Sequence, residues 1–103
     1  MDIEALKKMI DGGRDGAMPR LTLGEALARE GDTEGAQEHL RRAIDFDPDY
    51  SAAWRALGRL QLRAGDRTAA AETFRQGLDA ARRRGDMQIV RELEVRVKRL
   101  ERE

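Results

Sequence analysis

Three arginines, Arg55, Arg59 and Arg63, recur at i, i+4 and i+8. At about 100° per residue they fall within about 80° of arc on one helix face and form a basic stripe. A guanidinium is a planar fork of donors that can take a carboxylate bidentately, and several converging on one place raise its affinity for anions. The chemistry this points to is recognition of an acidic partner.

Other reactive sets are sparse. His39 is the single histidine and Ser51 the single serine, so one chain can assemble neither a serine triad nor a multi-histidine metal site. The absence of cysteine removes disulfides, thiol nucleophiles and thiolate zinc sites. His39 reads as a partly exposed residue in mid-helix, where Thr73 stands in the next repeating unit. Glu34 and Glu38 share a solvated helix face, without the apolar pocket that would raise a carboxyl pKa for acid–base work. Gly12 to Gly16 is glycine-rich, but it lacks the Lys-Ser/Thr ending and the preceding strand of a phosphate-binding loop, so it reads as an interhelical turn. Arg82, Arg83 and Arg84 have no aromatic beside them, and read as neutralising a helix C-terminus and extending a solvated turn rather than as a nucleic-acid patch. No catalytic residue, metal or cofactor is expected, and the chain is read as not an enzyme.

The elements that must carry the arginines follow from composition and punctuation. The chain has 103 residues, 39% of them charged and 40% hydrophobic, with only 4% aromatic. Ala, Leu, Arg and Glu abound, which favours helices with narrow apolar stripes and an all-α class. Twenty basic and twenty acidic side chains cancel, unlike a strongly basic nucleic-acid binder. Residues 1–50 carry a net −5 and residues 51–103 a net +5. No apolar run approaches a bilayer span and the acidic start is unlike a signal peptide, so a cytoplasmic protein without membrane contact is expected.

Displacing the sequence by 34 residues aligns 17–50 with 51–84 and matches nine residues, among them Leu23/Leu57, Gly24/Gly58, Gly31/Gly65, Asp32/Asp66 and Ala36/Ala70. Roughly two matches are expected from typical residue frequencies. Asp47-Pro48-Asp49 ends one helix and opens the next, because proline lacks the amide donor a helix interior needs but tolerates the first turn. Gly65 can take a positive φ at a helix end, and Asp66 can cap the helix that follows. Six helices are predicted, near 2–11, 19–30, 33–46, 50–64, 67–83 and 87–102. A strict 34-residue offset would set Gln88, Arg91 and Glu92 in the core. A two-residue insertion around Arg82 to Gly85 instead buries Ile89, Val90, Leu93, Val97 and Leu100.

Trp54, Leu57 and Gly58, followed by Ala70 and Phe74, resemble the tetratricopeptide repeat, as do Leu23, Gly24, Ala36, Ala43 and Pro48 one unit earlier. Arg20 departs from the family's Trp, Leu27 and Gln61 from its Tyr, Leu40 from its Phe, Gly77 from its second Ala and Arg82 from its Pro. The resemblance covers the whole chain and is to small bacterial-type members. It implies a helical solenoid of six antiparallel helices: a half repeat over 1–16, repeats over 17–50 and 51–84, and a capping helix over 85–103.

In that family the first helices of successive repeats line a concave groove that receives partner segments. The resemblance therefore implies groove positions at Met18, Leu21, Glu25, Ala28 and Arg29, at Ala52, Arg55, Arg59, Leu62 and Arg63, and at Gln88, Arg91, Val95, Lys98 and Arg99. The expected function is non-enzymatic protein binding. Arg29, Arg55, Arg59 and Arg63, with Arg91 and Arg99 at the margins, would meet the acidic side chains of a peptide, while Leu21 and Leu62 accept its apolar ones. The Lys and Asn clamp of chaperone-binding members has no counterpart, since the chain contains no asparagine. Two alternatives stay open. The arginines can pair with Glu25 and Glu92 or stay solvated, and the oppositely charged halves can drive head-to-tail stacking of a monomer that self-associates weakly.

Overall fold

A computed structural model of the protein describes residues 2–102. Six helices follow one another: α1 (Ile3–Asp11), α2 (Ala17–Arg29), α3 (Thr33–Phe46), α4 (Ser51–Arg63), α5 (Arg67–Arg84) and α6 (Met87–Arg102). No strand occurs among the described residues. The predicted helix spans agree with these to within two residues at each end.

Local chemistry sets the boundaries. Asp2, Asp32 and Asp66 each accept a hydrogen bond from the backbone N–H three residues on, at 2.7, 2.9 and 3.0 Å, satisfying amides that the helix leaves without a partner. Gly65 ends α4 with φ +86°, which lets its own amide reach Leu62 O and the Asp66 amide reach Gln61 O, a Schellman closure. Gly31 ends α2 in the same way. Helix α5 has 18 residues against 14 in α3, so it carries an extra turn. Arg83 and Arg84 in that turn pair with Asp49 at 2.8 Å and Asp47 at 2.6 Å. The arginine run therefore does more than solvate a turn: it ties the end of one repeat to the turn that ends the repeat before it. Helix α6 consequently starts 36 residues after α4, and Ile89, Val90, Leu93 and Val97 are buried while Leu100 packs at the edge.

Each helix packs on the next, and α2 also touches α4 and α4 touches α6, whereas α1, α3 and α5 do not touch one another. The stack must therefore curve, with the even-numbered helices on the tighter inner wall and the odd-numbered ones outside. The body measures 44 × 29 × 19 Å.

Close approach of the two helices in each repeat depends on side chains that are absent. A Cβ on Gly58 would run into the fully buried ring of Phe74, and one on Gly77 would lie 2.8 Å from Trp54 Cβ and 3.1 Å from Leu93 Cδ1. A Cβ on Gly24 would crowd the fully buried Leu40, with Cδ2 at 2.7 Å and Cγ at 2.8 Å, and lie 3.3 Å from the Ala36 carbonyl oxygen. These contacts predict a ranking. Gly77→Ala and Gly58→Ala should lose about 1–3 kcal/mol to overpacking, reduced by up to about 1 kcal/mol of helix propensity. Gly24→Ala should also destabilise, but by less, because an aliphatic side chain shifts more readily than an aromatic ring or the Cβ of a facing helix. Urea melts of the three variants check the order, and a neutral Gly77→Ala would contradict it.

Candidate functional site

The inner wall of α2, α4 and α6 contains a cleft of about 330 Å³, lined by Glu25, Ala28 and Arg29 of α2, Ala56, Arg59 and Arg63 of α4, and Arg96 of α6, with Leu40 of α3 beneath. Four of these residues are arginines and one is an acid. Arg29 and Arg63 are exposed and make no hydrogen bond or ion pair among the described residues. Ala28 and Ala56 keep the space between them open.

Glu92, on α6, organises the remaining guanidiniums. It accepts from Arg59 at 2.9 Å, from Arg55 at 3.3 Å and from Arg96 at 3.3 Å. Burial alone would push the Glu92 carboxyl up, but the Arg59 and Arg55 charges and the hydrogen bonds from Arg96 and Arg59 outweigh it and hold the group below the ordinary carboxylate range. It therefore stays ionised and keeps the arginines in place. The Arg96 guanidinium also lies over the Phe74 ring, 5.5 Å from its centre, so the residue that fills the gap at Gly58 also supports a wall of the cleft.

A smaller hollow of about 130 Å³ adjoins this cleft across Arg96, lined by Leu62, Arg67, Arg99 and Leu100. The expected residues thus separate into groups. Arg29, Arg59 and Arg63 share the main cleft, while Leu62 and Arg99 share the adjoining one. Arg55 pairs with Glu92 and is not part of the lining. Arg91 is exposed on α6, outside both linings. Leu21 needs a correction: it is only 8% exposed within the core cluster around Leu6, Leu23 and Leu57, so it offers little surface to a guest.

Arg96 was not among the sequence candidates. In the 36-residue register it matches Leu60, a core position. It remains accessible because no further helix covers that side of α6 among the described residues, so its stem can lie along Phe74 while the charged head reaches Glu92.

The departure from Trp at Arg20 is resolved by a second cluster. Arg20 donates to both carboxylate oxygens of Asp15, at 2.7 and 2.8 Å, and through Nη1 to His39 Nδ1 at 2.8 Å, fixing the glycine-rich turn onto α2 and α3. His39 is thus engaged rather than merely exposed. Because a guanidinium only donates, Nδ1 must accept and the neutral ring carries its proton on Nε2. Burial, reinforced by the Arg20 charge, holds the imidazole below its ordinary value of 6.5. A depressed folded-state value means the unfolded chain takes up the proton first. The stability contributed by neutral His39 is then complete above about pH 6.5 and lost as pH falls through the folded value. The thermal midpoint should fall between pH 7.5 and 5.5 in the native chain and stay flatter in His39→Gln, which keeps an acceptor without the titration. Parallel slopes would contradict this assignment.

No three-residue group of His, Cys, Asp and Glu suited to a metal occurs among the described residues, and no described helix is long and apolar enough to cross a membrane.

The tetratricopeptide repeat sequence profile matches residues 27–92. TPR repeat-containing protein PA0015 of Pseudomonas aeruginosa is 42% identical over 102 residues, covering 99% of this chain and 97% of its own. The solution structure of protein BPP2914 from Bordetella parapertussis is 43% identical, with a TM-score of 0.83 over 99% of this chain and 89% of that one. The TPR2B domain of yeast Sti1, solved as a complex with pHsp70, shares the fold at 19% identity, with a TM-score of 0.87 over 97% of this chain and 80% of that one. With six helices that pack in sequence, and a profile match and a 42% identical relative that both carry the repeat, the chain belongs to the tetratricopeptide repeat family.

Proposed function

We propose that this protein is an interaction module that receives an acidic peptide segment along the inner wall of α2, α4 and α6. Fold membership supports the general part of this reading, protein binding. The observation that carries the specific part is the imbalance in the cleft: Arg29, Arg59, Arg63 and Arg96 face one lining acid, Glu25. Adding Arg55 and Glu92 contributes one charge of each sign and leaves the surplus at three. Acidic side chains of a guest meet the unpartnered guanidiniums, and its apolar side chains settle near Leu62 and Leu100. So short a wall and so open a cleft suit modest affinity.

A labelled acidic peptide titrated by fluorescence anisotropy tests the reading. Exposed charges are screened over about 8 Å at physiological ionic strength, so affinity should fall at least about fivefold between low salt and half-molar salt. Salt-independent binding would count against an electrostatic groove. Sedimentation of the protein alone separates the other arrangement, in which the oppositely charged halves stack copies end to end: a salt-sensitive oligomer that forms without peptide would favour stacking.

A further inference from the structure

The geometry points to a phosphorylated serine or threonine side chain, carried on a peptide, as the group the main cleft is built to take. This deepens the acidic-peptide reading and rests on it. A carboxylate brings one negative charge and two oxygens, and would leave the three-charge surplus of the cleft largely unanswered. A phosphomonoester brings about −1.5 to −2 charge at neutral pH and three strong acceptor oxygens.

The donors suit such a group. Arg29 and Arg63 spend none of their N–H groups on described residues. Arg59 engages Glu92 through Nη2 and Arg96 engages it through Nε, so both keep free edges while Glu92 fixes their positions. A dianion entering there meets two forks that Glu92 holds in place, from α4 and α6, and two uncommitted ones, Arg29 of α2 and Arg63 of α4, that can close on its remaining oxygens. The adjoining hollow over Leu62 and Leu100 gives the rest of a peptide somewhere to bind, which free phosphate cannot use. That favours the peptide as the source.

The test uses four probes on the intact chain: a labelled ten-residue peptide with one phosphoserine between leucines, its serine and glutamate counterparts, and inorganic phosphate as competitor. The phosphoserine peptide should bind about tenfold or more tighter than the glutamate one, with serine weakest. Arg29→Gln and Arg63→Gln, exposed sites that leave the fold intact by circular dichroism, should each reduce that preference. Inorganic phosphate should displace the peptide only at far higher concentration. Equal binding of the phosphoserine and glutamate peptides would overturn this inference while leaving the acidic-peptide reading standing. Binding by none of the three peptides would overturn both. Inorganic phosphate competing as well as the phosphopeptide itself would overturn the assignment to a peptide-borne group.

Discussion

Reversing two charges, Arg29→Glu with Arg63→Glu, should weaken binding of an acidic peptide by roughly 100-fold, close to abolition for a ligand of modest affinity. These two are the informative pair because neither is engaged with another described residue, so their loss leaves no buried partner orphaned. The reversal turns the cleft lining from four arginines and one glutamate into two arginines and three glutamates. The corresponding reversal of Arg55 and Arg59 is less clean. It would set two new carboxylates beside Glu92, which now accepts from both, and would disturb the packing of α6 on α4 as well as the cleft. Anisotropy titration at low salt reads the first effect, and a thermal midpoint within a few degrees of the parent shows that the fold is kept. Unchanged affinity in a folded double variant would remove the cleft from the account.

Phe74→Ala should cost about 3–5 kcal/mol, the largest loss expected from a single substitution in this chain. The ring is fully buried, fills the space left by Gly58, and packs with Leu78, Ile89, Val90 and Leu93 in the core shared by α5 and α6. A domain of this kind has roughly 5–15 kcal/mol in all, so much of its stability would go. The substitution also removes the face on which Arg96 lies, coupling packing to the site: peptide affinity should drop even under conditions where the variant is folded. Urea unfolding measures the first effect. A loss below about 1 kcal/mol would mean that the ring is not the keystone of the second repeat.

The parts of the molecule most legible in its sequence are those governed by local chemistry or by repetition. Asp66 after Gly65 announces a cap and a helix end because both act within a few residues, and the structure places them so. The 34-residue offset exposes the repeats because each helix pair must solve the same packing problem with the same small and large residues. Even the shift before α6 could be inferred, since strict register would have buried Arg91 and Glu92. What stayed hidden depends on which long side chain reaches which partner across helices. Arg96 sits at a core position by register, and only the open side of α6 and its own contacts with the Phe74 ring and the Glu92 carboxylate bring it into the cleft. Arg20 stands where the family has Trp, and nothing local says that it gathers Asp15 and His39. Leu21 was assigned to the groove by position, but its neighbours Leu6, Leu23 and Leu57 enclose it.

The central claim is that the acidic guest lies on the inner wall. Titrating an isotope-labelled sample with an acidic peptide, and following backbone amide and arginine side-chain shifts by NMR, tests it most directly. The account predicts saturable changes concentrated on Arg29, Arg59, Arg63 and Arg96 and on the amides of α2, α4 and α6 around them. Changes confined to the outer faces of α1, α3 and α5 would contradict it.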